Sequence, residues 1–183
     1  MNLYKTHIFK LIVTAFVVTM FFSCKDNFKE VQQIGVLQNE PIGIAENINL
    51  KYTDSGIVKA NLMSPKMKDY SNRQFSFSEF PEGIKLLLYD KGKKSTILAD
   101  YAISYSDTDL IDLQKNVIII TQQNDSIFAD QLYYDQKNER IFSNEPFKFV
   151  SPTQIMTGEG FTSDKDFKNF EAVGGTGIIY LDE

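Results

Sequence analysis

The chain has 183 residues, of which 43% are hydrophobic and 13% aromatic, and its formal net charge is −5. This length fits one domain with its own core, and the richness in Tyr, Phe, Ile and Val favours β-strands. An acidic chain lacks the basic face that phosphate backbones require, which argues against nucleic-acid binding.

Residues 1–23 have the pattern of an export signal. Two lysines precede the apolar run Leu11–Ser23, whose 13 residues are too few for a membrane span of ~20 but fit a signal-peptide core. Ser23 followed by Cys24 resembles a bacterial lipobox, which predicts cleavage and acylation of Cys24. The alternative is an uncleaved anchor over about Ile8–Phe22, with Cys24 incidental. Both alternatives predict export and a membrane tether.

The residues that remain after cleavage exclude most catalytic sites. The only histidine, His7, lies in the predicted signal, and Cys24 is the only cysteine. A Ser-His-Asp or Cys-His nucleophile cannot be assembled, and zinc and disulfides are not expected. Chemistry that needs only two carboxylates, as in glycosidases, stays open with 24 acidic residues, but these lie mostly in polar turns. The GGTG stretch at Gly174–Gly177 lacks the Lys-Ser/Thr of a phosphate loop. We therefore expect no enzyme activity, no cofactor and no metal.

After the signal, residues 24–47 are predicted to be a polar spacer, and residues 48–183 an all-β domain. The clearest strand is Thr96–Tyr105. Alternate side chains of a strand point to opposite faces, so its odd-numbered residues are predicted to line one interior: Ile97, Ala99, Tyr101, Ile103 and Tyr105.

A hairpin unit recurs along this domain. ILAD at Ile97–Asp100 matches IFAD at Ile127–Asp130 after 30 residues, and MTGE at Met156–Glu159 follows after 29. A looser first copy begins at Gly56. Each unit is too small to bury its own apolar face, so stacking is expected to form an open twisted β-jellyroll of antiparallel hairpins. The recurring small residue predicts a tight position or a bend at Ala60, Ala99, Ala129 and Gly158.

These units resemble the OstA-type β-jellyroll of periplasmic lipopolysaccharide-export proteins. The apolar-x-Ala-Asp unit, the turn that begins Tyr133-Tyr134-Asp135, and Lys115-Asn116-Val117 carry the likeness. Over Ile48–Glu183 the domain resembles the LptC family, the membrane-anchored component of lipopolysaccharide export. The resemblance implies an adaptor that accepts lipopolysaccharide from an inner-membrane ABC transporter and passes it to a periplasmic bridge protein of the same fold.

The resemblance also implies which positions act. Acyl chains of lipid A would lie in the apolar interior, for which the candidates are Ile97, Tyr101, Ile103, Ile119, Ile127, Tyr133, Phe147 and Phe149. Free strand edges would pair with the neighbouring proteins. The expected edges are N-terminal, towards the transporter's periplasmic domains (Gly56, Val58, Ala60), and C-terminal, towards the bridge protein (Thr176, Ile178, Tyr180).

Two features leave alternatives open. A lipid-modified Cys24 differs from the uncleaved transmembrane helix that family members often keep, and Lys25-Asp26 faintly resembles signals that send lipoproteins to the outer membrane. A structural or surface-interaction lipoprotein that uses a filled jellyroll for protein contacts only is the alternative function. Finally, Pro146 cannot donate a ladder hydrogen bond, which predicts a bulge or break there and one place where the interior could open sideways to a lipid.

Overall fold

A computed structural model describes residues 40–180, and every regular element in this range is a β-strand. No helix in the range is long and apolar enough to span a membrane. The strands are β1 (Gly43–Asp54), β2 (Ile57–Asp69), β3 (Phe77–Phe80), β4 (Ile84–Asp90), β5 (Lys93–Ala99), β6 (Tyr101–Tyr105), β7 (Leu110–Ile120), β8 (Ser126–Asp135), β9 (Arg140–Ser143), β10 (Phe147–Val150), β11 (Gln154–Gly158), β12 (Gly160–Asp164), β13 (Glu171–Val173) and β14 (Thr176–Ile179).

All pairings are antiparallel and form one 14-stranded sheet, which the long strands divide into two halves. β7 shows the division: its first part pairs with β6 and its second part with β5. The first half-sheet contains β3, β6, β9, β12 and β13. The second half-sheet contains β4, β5, β10, β11 and β14. β1, β2, β7 and β8 run through both halves. This is the open β-jellyroll of stacked hairpins that the sequence predicts.

A line of irregular residues, called the corner below, separates the two half-sheets. Asn47 has a positive φ of 52° opposite Pro65, and Lys115 and Asn116 have φ of 64° and 49° where the β7–β8 register shifts. Asp100 separates β5 from β6, and its N–H donates to the carbonyl of Lys115 at 3.0 Å. The corner therefore keeps hydrogen bonds although the strands change direction there.

The two half-sheets enclose one hydrophobic core. Phe80, Leu113 and Ile141 come from the first half-sheet, and Leu86 and Ile97 from the second. Each of these five side chains is at most 2% exposed. Packing between the inner faces is thus the main source of stability, since this part of the chain has no disulfide to support it.

The domain begins earlier than predicted. β1 starts at Gly43, inside the predicted spacer of residues 24–47, and pairs with β2 from Gly43 to Asp54. The polar composition of the early part of β1 concealed it, because an edge strand has few side chains to bury. All twelve of its positions are exposed or half-buried.

The recurring small residues mark the corner in three of the four predicted copies. Ala99 ends β5, Ala129 is the last residue of β8 that pairs with β10, and Gly158 ends β11. A Cβ at Gly158 would lie 2.6 Å from Cε1 of Phe147, so no side chain fits there. Ala60 does not follow the pattern: it pairs with Leu88 within the second half-sheet, before β2 reaches the corner.

Candidate lipid groove and partner edges

The inner face of the second half-sheet carries a continuous apolar row. Strand register puts its members side by side on neighbouring strands, and all but the last are buried: Leu86, Ile97, Ile119, Ile127, Phe149 and Met156. Phe147 belongs to the next row, opposite Ala129. The structure therefore brings five of the eight predicted interior residues together in the core: Ile97, Ile119, Ile127, Phe147 and Phe149.

The interior is filled by these side chains in this structure. Ile97 and Ile119 are 0% exposed and Ile127 is 1% exposed. From the other half-sheet, Leu113 and Leu132 are also fully buried. An acyl chain would therefore have to displace side chains or separate the half-sheets, rather than enter an existing channel.

Three of the eight predicted groove residues lie on the opposite face, as does Tyr105, which was also predicted to line the interior, and for all four the prediction that they face inward is wrong. In β6, Ala102 is fully buried and pairs with buried Leu113, whereas Tyr101 and Ile103 are only half-buried. In β8 after the corner, Leu132 and Tyr134 are buried, and Tyr133 points outward with Phe142, on which its ring stacks at 5.3 Å.

The corner explains these errors. Alternation holds while a strand is continuous, but one extra residue shifts every later side chain to the other face. In the first case the shift comes after Ala99-Asp100, and Ala102 is buried instead of Tyr101. In the second case it comes after Ala129-Asp130, and Leu132 is buried. The repeated small-acidic pair is therefore the point where the alternation restarts.

The outward face of the first half-sheet is polar and aromatic. The Tyr101 hydroxyl donates to Glu79 Oε1 at 3.0 Å, and the Tyr70 hydroxyl donates to Glu79 Oε2 at 3.3 Å. Lys68 Nζ is 3.4 Å from the same Oε2. Burial, followed by the hydrogen bond to Glu79, raises the pKa of Tyr101 to about 12.

A buried carboxylate also supports this face. Asp112 is 6% exposed, and its two oxygens accept hydrogen bonds from the amides of Gln114 and Gln131, each at 2.7 Å. Gln131 also donates to the Tyr133 hydroxyl at 2.9 Å. The outward face is thus a rigid polar network and does not resemble a surface that holds acyl chains.

An aromatic residue from the β12–β13 loop closes one side of the interior. Phe170 contacts Phe161 of the first half-sheet at 5.2 Å between ring centroids. It also contacts Phe147 and Phe149 of the second half-sheet at 5.6 and 5.7 Å. The sequence contains no clear signal for this role of Phe170, because the residues before it (Thr162–Asn169) are mostly polar and have the composition of a solvated turn.

Charged contacts hold this loop across the two half-sheets. Lys168 Nζ is 3.3 Å from Asp90 Oδ2 at the end of β4, and Lys165 pairs with Glu139 in the β8–β9 turn. Asp164 accepts hydrogen bonds from the N–H of Lys168 at 2.8 Å and from the side chain of Asn169 at 2.7 Å. The loop is therefore tied to both half-sheets at the side of the interior opposite the corner.

The N-terminal edge is β1, and not the segment that the sequence predicted. Val58 and Ala60 lie on β2, where they pair with Thr53 and Tyr52 of β1, and Ala60 also pairs with Leu88 of β4. Gly56 is in the β1–β2 turn with a positive φ of 78°. Because β2 pairs with β1 on one side and with β4 on the other, it cannot accept another strand, and the strand with a free edge is β1.

At the other end of the sheet, β14 pairs with β11 and with no other strand of the described range. Thr176 and Ile178 lie on it, and Ile178 is 61% exposed. Tyr180 follows the strand, and its N–H donates to the carbonyl of Thr153 at 2.8 Å. The three predicted C-terminal residues are therefore at a sheet edge, and their contact with the bridge protein stays a prediction.

The predicted break at Pro146 is confirmed. β9 ends at Ser143 and β10 begins at Phe147, so Pro146 lies at the corner between them. An outer cleft of about 560 Å³ is lined there by Asn116, Phe128 and Pro146, among others. Whether lipid reaches the interior beside Pro146 stays a prediction.

Two expectations concern other parts of the molecule. Cys24 and the predicted signal of residues 1–23 lie outside the described residues. Within residues 40–180, no group of three or more His, Cys, Asp or Glu side chains is arranged to hold a metal ion.

Comparison with known proteins identifies the family. The sequence model of the family described as "Lipopolysaccharide-assembly, LptC-related" matches residues 10–177, which is most of the chain. No curated protein matches the sequence. The chain therefore belongs to the LptC-related family of lipopolysaccharide assembly, which gives it a role in lipopolysaccharide transport.

Proposed function

We propose that the protein is a membrane-tethered periplasmic adaptor that accepts lipopolysaccharide from an inner-membrane ABC transporter and hands it to a periplasmic bridge protein. The acyl chains of lipid A would travel between the two half-sheets. The observation that carries the proposal is the apolar inner row, which crosses neighbouring strands from Leu86 to Met156 without a polar side chain. The family is one of transport rather than of enzymes, and energy would come from the transporter.

The filled interior defines what transport requires. An acyl chain can enter only where the two half-sheets separate. The exchange of side-chain contacts for lipid contacts costs little hydrophobic free energy, since lipid and core side chains are both apolar. Phe170 joins the half-sheets through aromatic contacts, and Lys168 joins them through Asp90. We therefore place lipid access at this loop, with the corner acting as the hinge side.

The two free edges would join the adaptor to its partners. β1 at the N-terminal side and β14 at the C-terminal side each have one unpaired side, so each can add a strand from a neighbouring jellyroll. In this arrangement β1 meets the transporter's periplasmic domains, and β14 meets the bridge protein. Strand addition at both edges would continue one apolar interior from protein to protein.

Photocrosslinking tests lipid contact with a matched control. A photoreactive amino acid at Phe149 faces the interior, whereas the same probe at Ile103 lies half-buried on the outward face. We expect lipopolysaccharide to crosslink at Phe149 during active transport and not at Ile103. Equal crosslinking at both positions, or none at Phe149, would contradict the groove.

The partner edges need a separate measurement. A probe at Ile178 should crosslink a jellyroll partner, while one at Val58, on the strand between β1 and β4, should not.

The filled interior also favours a second candidate, a structural or surface-interaction lipoprotein that makes protein contacts only. Edge crosslinks at Ile178 without any lipid crosslink at Phe149 would support it over the adaptor.

The anchor belongs to the same proposal. Lipidated Cys24, or an uncleaved N-terminal helix, would hold the domain on the periplasmic side of the inner membrane.

A further inference from the structure

We propose that the outward face of the second half-sheet docks on the surface of a lipid bilayer that contains anionic lipids. This role is distinct from lipid conduction, because it uses the opposite side of the same strands. It rests on the chain being held near a membrane. The residues concerned, called the basic apolar face, are Lys85, Lys94, Leu98, Ile118, Ile120, Phe128, Lys148, Val150, Ile155 and Ile178.

Strand register assembles this face. Lys85, Leu98, Ile118, Phe128 and Lys148 lie directly opposite one another on five neighbouring strands. With ~4.8 Å between strands, the two lysines are about 19 Å apart and flank three apolar side chains. A second outward row adds Ile120, Val150, Ile155 and Ile178.

The apolar side chains of this face are accessible. Phe128 is 41% exposed, Ile120 is 37% exposed, and Leu98 and Ile118 are half-buried. Their backbones are already paired on both sides, so this surface cannot bind a partner by adding a strand. An apolar face whose central strands are already paired on both sides has little to offer a specific peptide, but it needs no shape complementarity to lie on lipid.

The charge of this face differs from that of the chain. The outward-facing strand residues from β4 to β14 in the second half-sheet include three lysines and no carboxylate, whereas the whole chain has a net charge of −5. None of the three lysines is within salt-bridge distance of a described carboxylate. Their stems can lie along the apolar rows while their ammonium groups reach anionic headgroups.

Acidic residues near the face fix its orientation. Glu82, Asp100, Asp130 and Glu159 stand along the corner, where two outer clefts of about 690 and 560 Å³ meet at Asn116 and Ile118. Anionic headgroups would repel these carboxylates. The domain should therefore tilt its corner towards water and the rest of the basic apolar face towards the bilayer.

Tryptophan fluorescence tests the proposal, because the chain contains no tryptophan. Phe128→Trp in the full-length protein reports on the basic apolar face, and Phe142→Trp, half-buried on the outward face of the first half-sheet, is its control. Both variants are reconstituted into phosphatidylcholine vesicles, with or without the anionic lipid phosphatidylglycerol. Each vesicle type is prepared with ordinary acyl chains and with brominated acyl chains, which quench tryptophan fluorescence. The same membrane anchor acts in both variants.

We expect brominated lipid to quench the Phe128→Trp variant strongly, and more so with phosphatidylglycerol, while the Phe142→Trp variant changes little. Adding Lys85→Gln or Lys148→Gln should lower the ratio of docked to undocked protein about fivefold each, and high salt should do the same. Equal quenching of the two tryptophans would overturn the proposal. Quenching of Phe128→Trp that does not depend on anionic lipid would also overturn it, as would a Phe128→Trp response only to a protein partner. Circular dichroism verifies that each variant is folded.

Discussion

The Tyr101 hydroxyl donates a hydrogen bond to Glu79 Oε1 at 3.0 Å on the outward face of the first half-sheet. Tyr101 belongs to β6 and Glu79 to β3, which pair directly through Glu79 and Ile103. The bond therefore joins neighbouring strands away from the core. On the first half-sheet, polar groups therefore form a network on the outward face, while aliphatic and aromatic side chains fill the inward face.

Glu79→Gln should lower the pKa of Tyr101 from about 12 towards 10, because it removes the negative charge beside the phenol. The pKa should stay above 10, since burial, the larger cause, is unchanged. Because the pKa of Tyr101 is raised in the folded protein, its protonated phenol stabilises the fold fully below pH 10. This stabilisation is lost as the pH rises from 10 through 12. NMR titration of ring-labelled tyrosine measures this. The pKa of Tyr134, raised mainly by burial and far from Glu79, should not change.

Gly158→Ala should destabilise the domain by about 1–3 kcal/mol, because the new Cβ would lie 2.6 Å from Phe147 Cε1 and 2.8 Å from the carbonyl oxygen of Val173. Gly43→Ala is the matched control. Its Cβ would meet nothing closer than 3.9 Å, so we expect a change within about 0.5 kcal/mol. Urea unfolding of both variants gives the comparison. Equal stability of the two would contradict a tight corner at Gly158.

Phe170→Ala should cost about 1–3 kcal/mol, less than a fully buried phenylalanine, since Phe170 is half-buried. It removes contacts with Phe147, Phe149 and Phe161, and so loosens the join between half-sheets. Hydrogen exchange should therefore quicken in β10 and β12 before β7. Phe75→Ala, at a side chain that is 75% exposed, controls for loss of an aromatic ring. Uniform exchange throughout the sheet would argue against a local closure.

Cys24→Ser should abolish acylation and leave a soluble or unprocessed protein, because the sulfur is the predicted attachment point of the lipid. Mass spectrometry of the membrane fraction and metabolic labelling with a fatty acid measure the outcome. Unchanged mass and unchanged membrane localisation would instead support the uncleaved anchor over about Ile8–Phe22.

Within one continuous strand, alternation predicted the inner face correctly. Ile97, Ile119 and Ile127 are all buried as the period of two requires. Tyr101, Ile103 and Tyr133 were assigned to the wrong face because each follows a small-acidic pair where the strand gains one residue. The pair was visible in the sequence as a repeat, but its effect on the alternation was not, since an added residue is defined only relative to a neighbouring strand.

The sequence by itself determined the all-β class, the repeated hairpin, the family and the break at Pro146, because these depend on local alternation, repeat spacing and the geometry of proline. Only the tertiary structure decided that β1 is the N-terminal edge, that Phe170 joins the half-sheets, and that Lys85 and Lys148 flank Ile118. Each of these depends on register between strands far apart in the chain. Register follows from the packing of the whole core, and no single segment encodes it.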